Sequence, residues 1–134
     1  MSKSDPASGS RVLLTDTDEL IASKIRKATM DSETGISYDP ENRPGLANLL
    51  HILSSLTGTE PSTLAETHAE RSNQSFKELV SGEIIQALRP IRREMEQLEK
   101  DPGFVLSVLE QGEAKARERA QKTMLTVRRV IGLP

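Results

Sequence analysis

Met1-Ser2-Lys3-Ser4 places a lysine between small hydroxyl residues, and it is the one place in this sequence where residue type and spacing suggest work on a charged substrate. On a mobile segment Lys3 would bring positive charge to a polyphosphate. Ser2, Ser4 and backbone N–H groups would donate hydrogen bonds to oxygens whose charge grows in a transition state. The same residues are also what an unstructured N-terminus contains, so the tetrapeptide alone leaves both readings open. The rest of the catalytic inventory is poor. The two histidines, His51 and His68, are tied by no motif to a nucleophile or to a metal-binding partner, and both read as structural. Cysteine is absent, which removes thiolate nucleophiles, zinc-thiolate sites and disulfides together. Carboxylates are plentiful but lie on solvated helix faces, without the pairing that acid/base chemistry needs. No protein metal site is expected in this chain.

The elements that must carry these residues read as helices. Residues 1–15 are polar at first and punctuated by Pro6 and Gly9, a loop or tail. Asp16 with Glu19 looks like a capping pair for a first helix, with Leu20, Ile21, Ile25 and Ala28 on one face and Lys24, Arg26 and Lys27 toward its C-terminus, mostly exposed. Residues 30–43 hold no period and form a structured loop whose only aromatic is Tyr38. Pro44 opens a Leu-rich second helix that Gly58 stops, with Asn48, His51 and Ser55 on its narrow polar side. Thr59 caps a short connector from Pro61 to about His68. From Ser75, the residues Phe76, Val80, Ile84, Ala87, Ile91, Met95 and Leu98 keep one register through Pro90, which predicts a long helix bent at the proline. Asp101-Pro102 starts a fifth helix ending near Gly112. A sixth spans about 113–131 and carries the basic row Lys115, Lys122 and Arg129, read as a solvated face.

These patterns predict an all-α fold, a bundle of about six helices behind a mobile N-terminal loop. The division expected is a loop and linker over 1–15 and a helical domain over 16–134. Composition agrees: the chain of 134 residues is 35% hydrophobic but only 2% aromatic, so its core must be aliphatic, which suits packed helices. The net charge of -2 means that attraction to nucleic acid must come from the arrangement of charge rather than its sum. No stretch approaches the roughly 20 apolar residues of a membrane span.

Met1-Ser2-Lys3-Ser4-Asp5-Pro6 resembles the Lys-Met-Ser-Lys-Ser loop of class I aminoacyl-tRNA synthetases, and the residues beyond Pro6 resemble the tryptophanyl branch. The pieces that carry the likeness are Ser10 to Thr15, Lys24-Ile25-Arg26-Lys27-Ala28, Asp31-Ser32, Tyr38-Asp39-Pro40, Asn42-Arg43-Pro44-Gly45 with Asn48-Leu49-Leu50, and Thr57-Gly58. Gln111-Gly112-Glu113-Ala114-Lys115-Ala116 through Ile131-Gly132 complete them, in the order that branch uses. The resemblance implies a C-terminal portion of an ATP-dependent tryptophan–tRNA ligase, beginning inside the signature loop. It implies ATP, with Mg2+ in the complete enzyme, and tryptophan and tRNA-Trp as partners. Lys3 would stabilise the pyrophosphate leaving as tryptophanyl-adenylate forms, positioned by Ser2 and Ser4. Lys24, Arg26, Lys27 and Asp31 would contact tRNA, since phosphates need exposed cations and base edges a polar reader.

The family's lysine before the methionine, its nucleotide-binding fold and its tryptophan pocket are not in this sequence. This stretch alone is therefore expected to be inactive, and a monomer although the complete enzyme would be a homodimer. The setting implied is a mitochondrial matrix or a bacterial cytoplasm. Two other readings stay open: a freestanding helical RNA-binding module, or a non-catalytic protein-interaction bundle.

Overall fold

A computed structural model describes residues 8–133, and among them the regular structure is entirely helical. A 3-10 turn at Ser8–Ser10 precedes α1 (Asp18–Lys27), α2 (Pro44–Thr57), α3 (Pro61–Thr67), α4 (Asn73–Lys100) and α5 (Pro102–Val130). The all-α expectation holds, with five α-helices in place of about six. The difference lies at Gly112, which does not end a helix. One glycine costs an α-helix only about 1 kcal/mol, and the exposed pairs Glu113–Arg117 and Glu118–Lys122 support the ladder on the far side of it. Helix α4 likewise runs on through Pro90.

The chain forms two compact units, one reaching to Arg92 and the other starting at Arg93. The first contains the core. Ile21 and Ile25 of α1, Leu46, Leu49, Leu50 and Leu53 of α2, Leu64 and Ala65 of α3, and Phe76, Val80 and Ile84 of α4 close on one another, with Ile36 inserted from the loop. Each fully buried side chain of this kind stabilises the fold by about 1.5–3 kcal/mol. Along α4 the register predicted from sequence continues, but burial stops after Ile84. In the second unit α5 has no buried residue, and Asp101 caps it by accepting from the Phe104 N–H at 2.9 Å.

Helix α1 is the element on which the expected cations stand, and it is pinned at both ends. Its N-cap is Thr17, whose Oγ1 accepts from the Leu20 N–H, rather than Asp16. Asp16 instead accepts from the Leu13 N–H at 2.8 Å and from Lys24 Nζ at 2.6 Å. At the start of α1, Asp18 accepts from Arg89 Nη2 at 2.8 Å and Arg92 Nη1 at 2.6 Å. At its end, Lys77 Nζ donates to the carbonyls of Arg26 and Ala28 at 3.1 and 2.8 Å, a cation placed where the helix dipole favours one. Residue 18 meeting 89 and 92, and residues 26 and 28 meeting 77, means that α1 runs antiparallel to α4. Gly45 lets the first turn of α2 approach the Thr29 carbonyl so closely that a Cβ would collide with backbone.

Candidate functional site

The loop between α1 and α2 is built around Arg43. Its guanidinium is buried and reaches Asp31 through two bonds, Nη2 to Oδ1 at 2.7 Å and Nε to Oδ2 at 2.9 Å. It also donates to the Gly35 carbonyl at 3.0 Å, the Ser37 Oγ at 2.8 Å and the Glu33 carbonyl at 3.3 Å. A planar fork is the side chain suited to this task, because it satisfies several acceptors in one plane. The loop is fastened from outside as well. Asn73 Nδ2 donates to the carbonyls of Asp31 and Glu33, and the Ile36 N–H donates to the Ala69 carbonyl. Further along, Asp39 Oδ1 accepts from the N–H groups of Glu41 and Asn42, both at 3.1 Å, and folds the chain into the start of α2.

Ser2, Lys3 and Ser4 lie outside the described residues. Of the cluster on and after α1, Lys24 is half-buried against Asp16 and Asp31 is engaged by Arg43. Arg26 and Lys27 are exposed, and among the described residues neither side chain makes an ion pair. The structure therefore separates the four into two that brace the fold and two that face solvent. An open groove of about 710 Å³ runs beside them, between the stretch from Gly9 to Val12, the C-terminal end of α1 and the exposed side of α2, with Lys27, Asn48, Ile52 and Ser55 among its lining. Tyr38 and His51 pair at the surface, the phenol oxygen 3.1 Å from Nε2. His68 is partly buried, with its ring 6.0 Å from that of Phe76. Among the described residues no three side chains of metal-binding type come together.

The roles of Arg43 and of the Tyr38–His51 pair are not visible in the sequence. The Asp39-Pro40-Glu41-Asn42 run has the composition of an Asx-type turn, which is a signal for a rigid loop. Nothing local links Arg43 to Asp31, which lie twelve positions apart in the chain.

The electrostatics give an acid-sensitive structure. Burial works to raise the carboxyl of Asp16, but its bonds to Lys24 and the Leu13 N–H outweigh it and hold it below the ordinary 3.8. The Arg92 and Arg89 bonds lower Asp18, and the Arg43 bond lowers Asp31. Asp39 is lowered by the Asn42 side chain and backbone. Burial, with the Arg71 charge, pushes the His68 imidazole below 6.5. Each of these groups binds its proton less readily folded than unfolded. The stability they supply is complete above the unfolded values and is lost as pH falls through the folded ones. Urea midpoints should thus dip slightly from pH 7 to 5, through His68, and fall steeply below about pH 4, where carboxylates protonate. Constant midpoints down to pH 3 would contradict the assigned ion pairs.

A family model described as tRNA synthetases class I (W and Y) matches residues 1–89. The chain is 41% identical over 133 residues to the mitochondrial tryptophan–tRNA ligase of Dictyostelium discoideum, covering 99% of this chain and 35% of that protein. It is 39% identical over 132 residues to the tryptophan–tRNA ligase of Prochlorococcus marinus, covering 98% and 39%. The tryptophanyl-tRNA synthetase of Mycoplasma pneumoniae has a similar structure, with a TM-score of 0.74 and 27% identity over 100% of this chain and 42% of that one. The chain thus spans well under half the length of these relatives.

Proposed function

Because this chain belongs to the class I tRNA synthetases of the tryptophan and tyrosine branch, we propose that it is the C-terminal helical part of a tryptophan–tRNA ligase. The observation that carries this reading is the 41% identity to a tryptophan–tRNA ligase across 99% of the chain. Its helical face holds tRNA, and the segment around Lys3 serves ATP.

In this reading Lys3, with Ser2 and Ser4, meets the ATP phosphates and takes up charge as pyrophosphate leaves, an interaction that strengthens toward the transition state. Arg26 and Lys27 contact tRNA phosphates from the end of α1, held there by the Lys77 bonds to the carbonyls of Arg26 and Ala28. Lys24 and Asp31 act one step back, through Asp16 and Arg43, by fixing the helix and the loop beside the RNA. Activation of tryptophan requires the amino acid and ATP to be held against each other, so the portion of the relatives that this chain does not span is needed for turnover. The setting in this reading is a mitochondrial matrix or a bacterial cytoplasm; the Dictyostelium relative is a mitochondrial ligase and the Prochlorococcus one comes from a bacterium.

The test compares this chain alone with the chain joined to the preceding part of a ligase. Tryptophan-dependent exchange of pyrophosphate into ATP is expected from the joined protein only, and it should fall by roughly 100-fold with Lys3→Ala, the scale of one lost transition-state contact. Binding of tRNA-Trp by the chain alone should weaken steeply with salt. The double variant Arg26→Ala/Lys27→Ala should flatten the slope of log K against log salt by about 1.5, two phosphate contacts' worth. Salt-sensitive tRNA binding without exchange in the joined protein would favour a freestanding RNA module. Neither activity would favour a protein-interaction bundle.

A further inference from the structure

We infer that Tyr38 and His51 form a stacking platform for an unpaired nucleobase of the bound RNA, alongside the phosphate contact at Lys27; the inference rests on the tRNA-binding reading above. Its starting point is that Tyr38 is 37% exposed yet rigidly placed. The residue before it, Ser37, accepts from Arg43 Nη1, and the residue after it, Asp39, gathers the Glu41 and Asn42 N–H groups. A side chain set between two such anchor points keeps its position without being covered. Its phenol oxygen is hydrogen-bonded to His51 Nε2 at 3.1 Å, and the rings meet at 82° with centroids 5.5 Å apart. Perpendicular rings hide at most one face of each other, so ring face remains open to a planar ligand.

The surroundings specify the ligand. His51 shares the exposed side of α2 with Asn48 and Ser55, one turn apart in either direction along the helix. Asn48 and Ser55 in turn line the groove that Lys27 borders. Aromatic face, amide and hydroxyl, then cation is the order in which a nucleotide offers base, base edge or sugar, and phosphate. The Ser55 hydroxyl already donates to the His51 carbonyl at 2.9 Å, but an apolar peptide would leave the Asn48 amide and the Lys27 charge unanswered.

Tyr38 is the only tyrosine in a chain without tryptophan, so a chain made with 3-fluorotyrosine gives a single 19F resonance that belongs to it. Adding tRNA-Trp transcript should move that resonance. Tyr38→Leu should weaken binding roughly 5- to 100-fold, the usual worth of one stacked base, with an unchanged salt slope. Tyr38→Phe, which keeps the ring and loses the His51 bond, should stay within about threefold. Lys27→Ala should instead flatten the salt slope by about 1. A far-UV melt of each variant separates a lost contact from a lost fold, and the wild-type resonance needs no variant at all. If tRNA binds with salt dependence but the 19F resonance stays still and Tyr38→Leu binds normally, the platform is wrong and the tRNA reading survives. If the wild-type chain binds no tRNA, both fail.

Discussion

Replacing Arg43 with alanine is expected to destabilise the unit that ends at Arg92 by about 3 kcal/mol. Removing one partner of a buried ion pair costs roughly 3–5 kcal/mol, because the other charge stays behind without compensation. The Arg43 side chain is 5% exposed and that of Asp31 is 23% exposed, so water can reach the carboxylate left behind and the low end of that range applies. The carbonyls of Gly35 and Glu33 and the Ser37 hydroxyl lose a donor at the same time. For a unit of this size the melting temperature should drop by roughly 15 °C, read from thermal unfolding by circular dichroism. Arg43→Lys keeps the charge but cannot reach both Asp31 oxygens and the loop carbonyls in one plane, so it should recover less than half of the loss. A drop of under 3 °C in Arg43→Ala would show that the loop holds itself without the guanidinium.

Phe76→Ala should cost more, about 4 kcal/mol. Phe76 is the largest fully buried side chain, it stands on α4 in the core shared by α1, α2 and α3, and truncation leaves a cavity that the neighbours close only in part. The measurement is the urea midpoint with the slope checked for constancy, so that a change in the unfolded ensemble is not mistaken for a change in packing. A loss below about 2 kcal/mol would mean that the core collapses readily around the missing ring. The two substitutions probe different things: Phe76 holds the helices together, and Arg43 holds the loop that presents Tyr38.

The parts of this fold that sequence makes legible are those specified within one helical turn. Pro44 at the start of α2, Gly58 at its end with φ 72°, and Asp101 before Pro102 each declare their role through their own backbone chemistry, and each plays it. The aliphatic periods also locate the core as far as Ile84. What stays hidden depends on partners distant in sequence. Asp16 has the sequence context of a cap for α1, yet its carboxylate is taken by Lys24, and Thr17 caps in its place. Lys24 stands in the sequence as one of three equivalent cations, and only the folded chain distinguishes it from Arg26 and Lys27. Gly112 misleads for the opposite reason, because a residue that often ends helices is also tolerated inside a long one.

The candidate site divides in the same way. Its cations can be named from the sequence, whereas the Tyr38–His51 pair cannot, because Tyr38 sits in a loop with no period and His51 on a helix thirteen positions away. The Arg43 anchor, closed through space onto Asp31, works with the local Asp39 turn to hold the loop from which Tyr38 meets His51. Residue type supplies the chemistry, and tertiary structure selects which residues are free to perform it.

Helix α5 spends its whole length without hiding a single residue. A helix that buries no side chain leans on its own ladder, its Asp101 cap and its surface pairs, and such a helix is marginal in water. Its amides should therefore trade hydrogen for deuterium long before those around Phe76, opening on their own and not with the rest. Limited proteolysis should likewise cut within α5 before it cuts the unit that holds Phe76. Any surface that came to lie against Val105, Leu109 and Val127 would lengthen the lifetime of the polypeptide as well as its helix.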